Sequence, residues 1–375
     1  MPGTESALPA TCIRFRPTGD GRTKNVLIVA NAGGTVQHWH MTSGKCLSTM
    51  TFGNGDAEDQ VYCLDYRPDG DQFAASGKDP AIKVIDDATK AVVTKMKGGD
   101  GHGIMSSAGH SNRVFSIKWH PEDENVVFSA GWDNTIQIWD VRVGRSMRSI
   151  YGPHVCGDSL DFSAGTILAG SWRAEEQLQT WDYGTGELVE TFPWATSLMG
   201  GAMPCQLYAA QFSKETSAPG AAGPARYVAA GGSGACEARV FDMAAPRNTD
   251  GAPALVGTIA GMARGIFSVD WAPPVLDAHG DLAPSRVALA GGDSTVRIVE
   301  LEKRPDDDMI RPGTSTVRVA GDAGSQQRAM LAAAEAEVGG AAPLVASRLA
   351  AADSAAEVEP DPDEERWTAA AEDEE

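Results

Sequence analysis

Basic residues are scarce in this chain: 31 Lys+Arg stand against 51 Asp+Glu, a formal net charge of −20. A surface that acidic repels phosphate backbones and anionic lipid, which argues against nucleic acid or membrane as the main partner. Paired cysteine motifs are missing too. Cys12, Cys46, Cys63, Cys156, Cys205 and Cys236 are scattered without a CxxC, so free thiols in a reducing compartment are expected rather than disulfides. No apolar run approaches the roughly 20 residues of a membrane helix. No early basic stretch leads into an apolar run, so no signal peptide is expected. The patterns GxxxxGK[ST], HExxH, GxSxG and HxE…CxxC are all absent, which leaves no enzyme class and no cofactor indicated. The Gly-rich GGSGAC (231–236) falls on a predicted hairpin instead of preceding a helix and reads as a turn. His38 and His40 alternate on one strand and share a face. With no cysteine or carboxylate obviously beside them they make an incomplete zinc set, so no metal site is assigned.

Residues 303–375 are poor in aromatics and carry half of the excess negative charge. They hold 7 Lys+Arg against 17 Asp+Glu and are rich in Ala, Gly and Pro, as in AAEAEVGGAAP and EPDPDEE. Such a stretch buries too little apolar surface to offset chain entropy, so a mostly disordered acidic tail is expected. Gln326–Val338, with Ser325 as its cap, and residues 343–358 are the two pieces with helical pattern.

What is present is a repeat. Six stretches align: CIRFRP (12–17), CLDYRP (63–68), SIKWHP (116–121), SLDFSA (159–164), AAQFSK (209–214) and SVDWAP (268–273). Each starts an alternating strand that closes on an aromatic. A second strand, a Gly- or Asp-bearing turn and a third strand follow, as in TVQHWH (35–40) and TIQIWD (135–140). A fourth strand shows in KCLSTM (45–50) and SMRSI (146–150). A period of about 40 residues made of four short strands signals radial repetition of small sheets.

The third repeat, GHSNRVFSIKWHPEDENVVFSAGWDNTIQIWD (109–140), opens on Gly-His and ends on Trp-Asp. On these residues the sequence resembles the WD40-repeat family. The resemblance implies an all-β fold, a propeller of four-stranded antiparallel blades over 8–302, with the acidic tail at 303–375. Six repeats are recognisable, leaving the blade count at six or seven. The last blade's missing fourth strand falls to residues 3–8 or to STVRVA (315–320).

The segment carries two Trp-Asp pairs. By the resemblance, Trp139 belongs to a buried chain with Ser129, His110 and Asp133. That chain reads as a structural staple and not as a Ser-His-Asp triad, since a nucleophile needs exposure and an oxyanion site. The other repeats place Gly33, Asp79, Arg173, Ala235 and Asp293 at the Asp133 position, so the staple is expected intact in blade three alone. Trp132 and, in the next repeat, Trp172 lie on the hairpins that the family presents on its top face. Paired exposed indoles there suggest a binding spot, with packing on the adjacent loop as the alternative. Lys78 holds the same position in blade two. Arg113 and Arg264, in loops entering blades three and six, add charge-assisted contacts to an acidic peptide. Asp140 and Arg142 complete a Trp-Asp-x-Arg sequence that resembles the box by which some family members dock on a cullin-RING ligase adaptor. The first residues of the six inner strands are small and mostly neutral, which argues against chemistry in a central channel.

The resulting expectation is a non-catalytic scaffold that binds proteins or peptides as a subunit of a multiprotein complex. The alternatives are a ubiquitin-ligase substrate receptor and a ciliary or cytoskeletal component. The expected location is cytoplasmic, with cytoskeleton, cilium or nucleus open.

Overall fold

Runs of β-branched and aromatic residues, separated by Gly- and Asp-bearing turns, give each repeat four strands. In a computed structural model of the chain they form six four-stranded antiparallel sheets, each made of four consecutive strands. The structure describes residues 9–17, 24–52, 60–98, 108–194, 204–214, 223–248, 251–275 and 285–301, and the backbone of the strand Val317–Asp322. Blade one comprises Ala10–Phe15, Val26–Asn31, Thr35–His40 and Lys45–Thr51; blade two, Val61–Tyr66, Gln72–Gly77, Ile82–Asp86 and Val92–Met96. Blade three comprises Val114–Trp119, Val126–Gly131, Thr135–Asp140 and Arg145–Tyr151; blade four, Leu160–Ser163, Thr166–Gly170, Leu178–Asp182 and Leu188–Thr191. Blade five comprises Gln206–Phe212, Tyr227–Ser233, Ala238–Asp242 and Ala254–Ile259; blade six, Ile266–Trp271, Ser285–Gly291, Val296–Leu301 and Val317–Asp322. Together they make an all-β propeller.

The outer strand of blade six pairs through Val299↔Val319 and Leu301↔Val317. It overlaps the second of the two segments that compete for that place, and residues 3–8 lie outside the described residues. The strand also falls past residue 302, in the stretch assigned to the tail by composition. The Val-Arg-Val alternation is short and lies in acidic surroundings; the free edge of Val296–Leu301 supplies its partner. The chain divides into two units, Met1–Ala323 and Gly324–Glu375. The expected tail helices over 326–338 and 343–358 lie outside the described residues.

A sheet with alternating apolar residues must bury its faces, and here it does so against the neighbouring blade. Between blades three and four, Phe128, Ile136 and Ile138 meet Leu160, Ile167 and Trp181. Similar layers join blades one and two, two and three, four and five, and five and six.

Two kinds of polar tie cross these layers. In the first, the third residue of one inner-strand motif accepts the backbone N–H of the aromatic that closes the next. Asp65 takes the Trp119 N–H at 2.8 Å, Asp161 the Phe212 N–H at 2.8 Å, and Gln211 the Trp271 N–H at 3.1 Å. In the second, Asp87 of blade two accepts from His38 and Arg16 of blade one at 2.9 Å each, and from Tyr66. Burial works against the Asp87 charge, but these donors hold its carboxyl well below the usual carboxylate range. His38 thus bonds Asp87 through its Nε2, while its buried Nδ1 finds no partner among the described residues; His40 bonds Ser43. All six cysteines are free thiols.

Candidate functional site

In blade three the pairing Ser129↔Gln137 and Val127↔Trp139 sets Ser129 beside the indole of Trp139. The Trp139 Nε1–H donates to Ser129 Oγ at 2.7 Å, and Ser129 Oγ lies 2.7 Å from His110 Nε2. His110 Nδ1 meets Asp133 Oδ2 at 2.7 Å. One proton assignment satisfies the whole row: Nδ1–H donates to the carboxylate, and the serine hydroxyl donates to Nε2. Burial alone would raise the Asp133 carboxyl; the bond from His110 and the Ser111 N–H bring it below its ordinary value. Trp139 and Ser129 are completely buried, so the row offers no nucleophile to a substrate. In blade four the equivalent Trp181 Nε1–H is buried and finds no acceptor among the described residues.

Trp132 sits differently from the exposed indole that its hairpin position suggests. Gly131 makes the reason plain. A Cβ there would fall 2.0 Å from the Arg113 carbonyl oxygen, so only glycine lets the two backbones approach. The Trp132 N–H then bonds that carbonyl at 3.0 Å. The indole ends half-buried, stacked on Phe115 at 5.3 Å, with the Arg113 guanidinium 4.8 Å from the ring centroid and its N–H directed to Cys156 Sγ at 2.9 Å. Trp172 is half-buried as well, tilted against Tyr208 at 6.5 Å, with its indole N–H buried and unpartnered among the described residues. Lys78 is half-buried and Arg264 exposed.

These contacts belong to a longer arc that sequence reasoning missed. Tyr62 stacks on Phe115 at 4.8 Å and an interplanar angle of 2°. Phe115 stacks on Trp132, and Trp132 on His154 at 6.2 Å. Farther round, Trp172 meets Tyr208, which meets Phe267 at 5.0 Å. Tyr62, Phe115, Tyr208 and Phe267 each precede the first residue of an inner-strand motif. Blades one and four have Thr11 and Asp158 there. That one-residue column was the available signal. Arg264 flanks Phe267 across Gly292, where a Cβ would lie 2.7 Å from the phenyl ring and 3.3 Å from the Arg264 side chain. Arg173 bonds Asn134, which also bonds His154. A row of rings edged by Arg113, Arg173 and Arg264 is thus set into a strongly acidic chain.

A charged cluster joins blades one to four, despite the small neutral residues that begin the inner strands. Arg14 of blade one reaches Asp158, at the start of blade four, at 2.6 Å, and Asp65 of blade two at 3.4 Å. Lys118 lies 3.8 Å from Asp158. Burial pushes the Asp158 carboxyl up, but Arg14 and Lys118 outweigh it and hold it at about 2. Loss of solvent pushes the Asp161 carboxyl up, against the opposing pull of Lys118. Among the described residues no group of three His, Cys, Asp or Glu side chains is placed to hold a metal ion. At the opposite end of blade three, Arg142 is 69% exposed, and its guanidinium folds back onto Asp140 at 2.8 Å. That ion pair is solvent-exposed and opens at little cost.

The model of the WD domain, G-beta repeat, matches residues 44–86 and 102–140. Each match ends with the third strand of a blade, at Asp86 and Asp140. A coronin-like protein of Schizosaccharomyces pombe is 29% identical over 39% of this chain and 26% of its own length. A ribosome biogenesis protein, the WDR12 homologue of Chlamydomonas reinhardtii, is 25% identical over 46% of this chain and 42% of its own length. The chain thus aligns with less than half the length of either relative. The solved structure of U3-55K superposes with a TM-score of 0.57 at 13% identity, over 84% of this chain and 82% of that one, a likeness of fold.

Proposed function

Because this chain is a WD40-repeat β-propeller, we propose that it is a non-catalytic interaction scaffold whose aromatic arc receives a peptide segment of a partner protein. The stacked row Tyr62–Phe115–Trp132–His154, capped by Arg113, carries this reading. Half-buried rings at a loop-bearing face add binding area at low entropic cost. The arginines at their edges favour a peptide with carboxylates beside its apolar anchors. A chain with a net charge of −20 meets protein components of an assembly more readily than nucleic acid. The relative named for ribosome biogenesis supports membership of a large complex, and with it a nuclear location beside the cytoplasmic one. The ligase-adaptor and ciliary readings gain no observation of their own.

Affinity capture of the full chain, compared quantitatively with Phe115→Ala/Trp132→Ala and with Arg113→Glu, tests the proposal. Losing an anchor worth about 2 kcal/mol cuts binding roughly 30-fold. A defined subset of partners should fall by that order in the double variant, and Arg113→Glu should deplete the same subset. An unchanged partner set with both variants would place binding elsewhere on the molecule.

A further inference from the structure

Six blades need six apolar layers to close on themselves, and the described residues form five. The faces left over belong to blade one and blade six. In blade three, Ile117 and Trp119 point at blade two and are 0% and 5% exposed. Their equivalents in blade one, Ile13 and Phe15, are 50% and 64% exposed. On the other face of blade three, Ile136 and Ile138 point at blade four and are 0% and 5% exposed. Their equivalents in blade six, Val296 and Ile298, are 47% and 45% exposed. The residue types are those of a blade interior, but what covers them is not the neighbouring blade.

The polar ties break at the same place. Asp65, Asp161 and Gln211 each accept the backbone N–H of the next blade's closing aromatic. Asp270 holds that position in blade six. Its side chain is 66% exposed and turns back to Lys214 at 2.7 Å. An acceptor, an apolar face ahead of it and an apolar face beyond it recur here in the arrangement that the junctions of blades two and three, four and five, and five and six fill with a sheet.

From this continuity with the inter-blade interfaces, we infer that the space between blades six and one receives a four-stranded antiparallel blade from a partner protein. The occupant carries apolar residues on both faces: one covers Val296 and Ile298, the other covers Ile13 and Phe15. The innermost strand of that blade gives a backbone N–H to Asp270. Residues 323–375 do not suit the place. The last strand of blade six ends at Asp322, and the sequence that follows is Ala- and Glu-rich, without the alternating β-branched and aromatic residues of a blade. Two exposed apolar faces that meet at one junction of an acidic fold mark an interaction site.

Two measurements on the full chain test this. The first is the distance between spin labels at Ile13→Cys and Ile298→Cys, with the exposed Cys46 changed to Ser. Packed sheets lie about 10 Å apart, so an inserted blade requires a gap of roughly 20 Å; a distance near 10 Å means that blades six and one close on each other and overturns the inference. The second is photo-crosslinking in the native cell from probes at Phe15 and at Ile298. Both should join one partner polypeptide, within a stretch of about 45 residues that reads as four alternating strands. Ile298→Asp should reduce the crosslink from Phe15 at least tenfold. Because residue 298 is exposed, the melting temperature should stay within about 2 °C. Crosslinks to residues 323–375, to a second copy of the chain, to two unrelated partners, or to nothing overturn the inference. Loss of the aromatic-arc partners leaves this outcome untouched, since the two surfaces share no residue.

Discussion

Trp139→Ala is expected to cost about 3–5 kcal/mol, the range for removing a large aromatic from a core that cannot collapse around the gap. Trp139 is completely buried between blades two and three, and its N–H terminates the row Trp139–Ser129–His110–Asp133. For a fold of this size such a loss lowers the melting temperature by roughly 10 °C. The polar share is separable. Trp139→Phe keeps most of the volume but removes the donor, leaving the buried Ser129 oxygen short of a partner, at about 1–3 kcal/mol beyond the volume change. Trp181→Phe makes the same volume change in blade four, where the indole N–H has no acceptor to lose. Trp139→Phe should therefore be the more damaging of the two by at least 1 kcal/mol in chemical denaturation. Equal costs would mean that the row contributes packing and no hydrogen-bond energy.

Arg14→Ala should destabilise the propeller by about 3 kcal/mol at neutral pH, because it strands the Asp158 carboxylate in a poorly solvated place with Lys118 as a distant partner. The effect carries a pH signature. With Arg14 present, Asp158 titrates at about 2 instead of its ordinary 3.8. A carboxyl depressed on folding adds stability that is full above its ordinary value and is lost as pH falls through the folded one. The wild-type protein should thus lose on the order of 2 kcal/mol from this group between about pH 5 and pH 2. The variant has less to lose, since its Asp158 is no longer held down. The gap between the two should narrow below about pH 4 when denaturation is followed at several pH values. A gap that stays constant from pH 7 to pH 3 would show that Arg14 acts through packing and not through its charge. Asp87, held down by His38, Arg16 and Tyr66, contributes to the acid sensitivity of both proteins alike.

The candidate site was partly legible before the fold was. His110, Ser129, Asp133 and Trp139 stand at fixed offsets within one hairpin and its approach, so a local register brings them together once the strands pair. Trp132 was legible as a residue out of place in a turn, but its burial was not. That depends on Phe115 and Arg113 from the strand beside it and on the backbone contact that Gly131 permits. The aromatic arc was less legible still. Its rings come from blades two to six and are separated by dozens of residues, so no sequence window contains two of its inner-strand members. The Arg14–Asp158 contact joins residues 144 apart, and each alone reads as an ordinary surface charge.

By itself the amino-acid sequence determined the blade. Alternation at a period of two, turn-forming Gly and Asp, and an aromatic at the end of each first strand act over distances of a few residues. They specify a four-stranded sheet whatever its surroundings. Tertiary structure alone decided how the blades are used. Which faces are covered, which strand completes blade six, which charges meet at the centre and which rings stack into an arc all depend on contacts between chain segments far apart. Such contacts are selected by the geometry of neighbouring sheets, and that geometry exists only after every blade has formed.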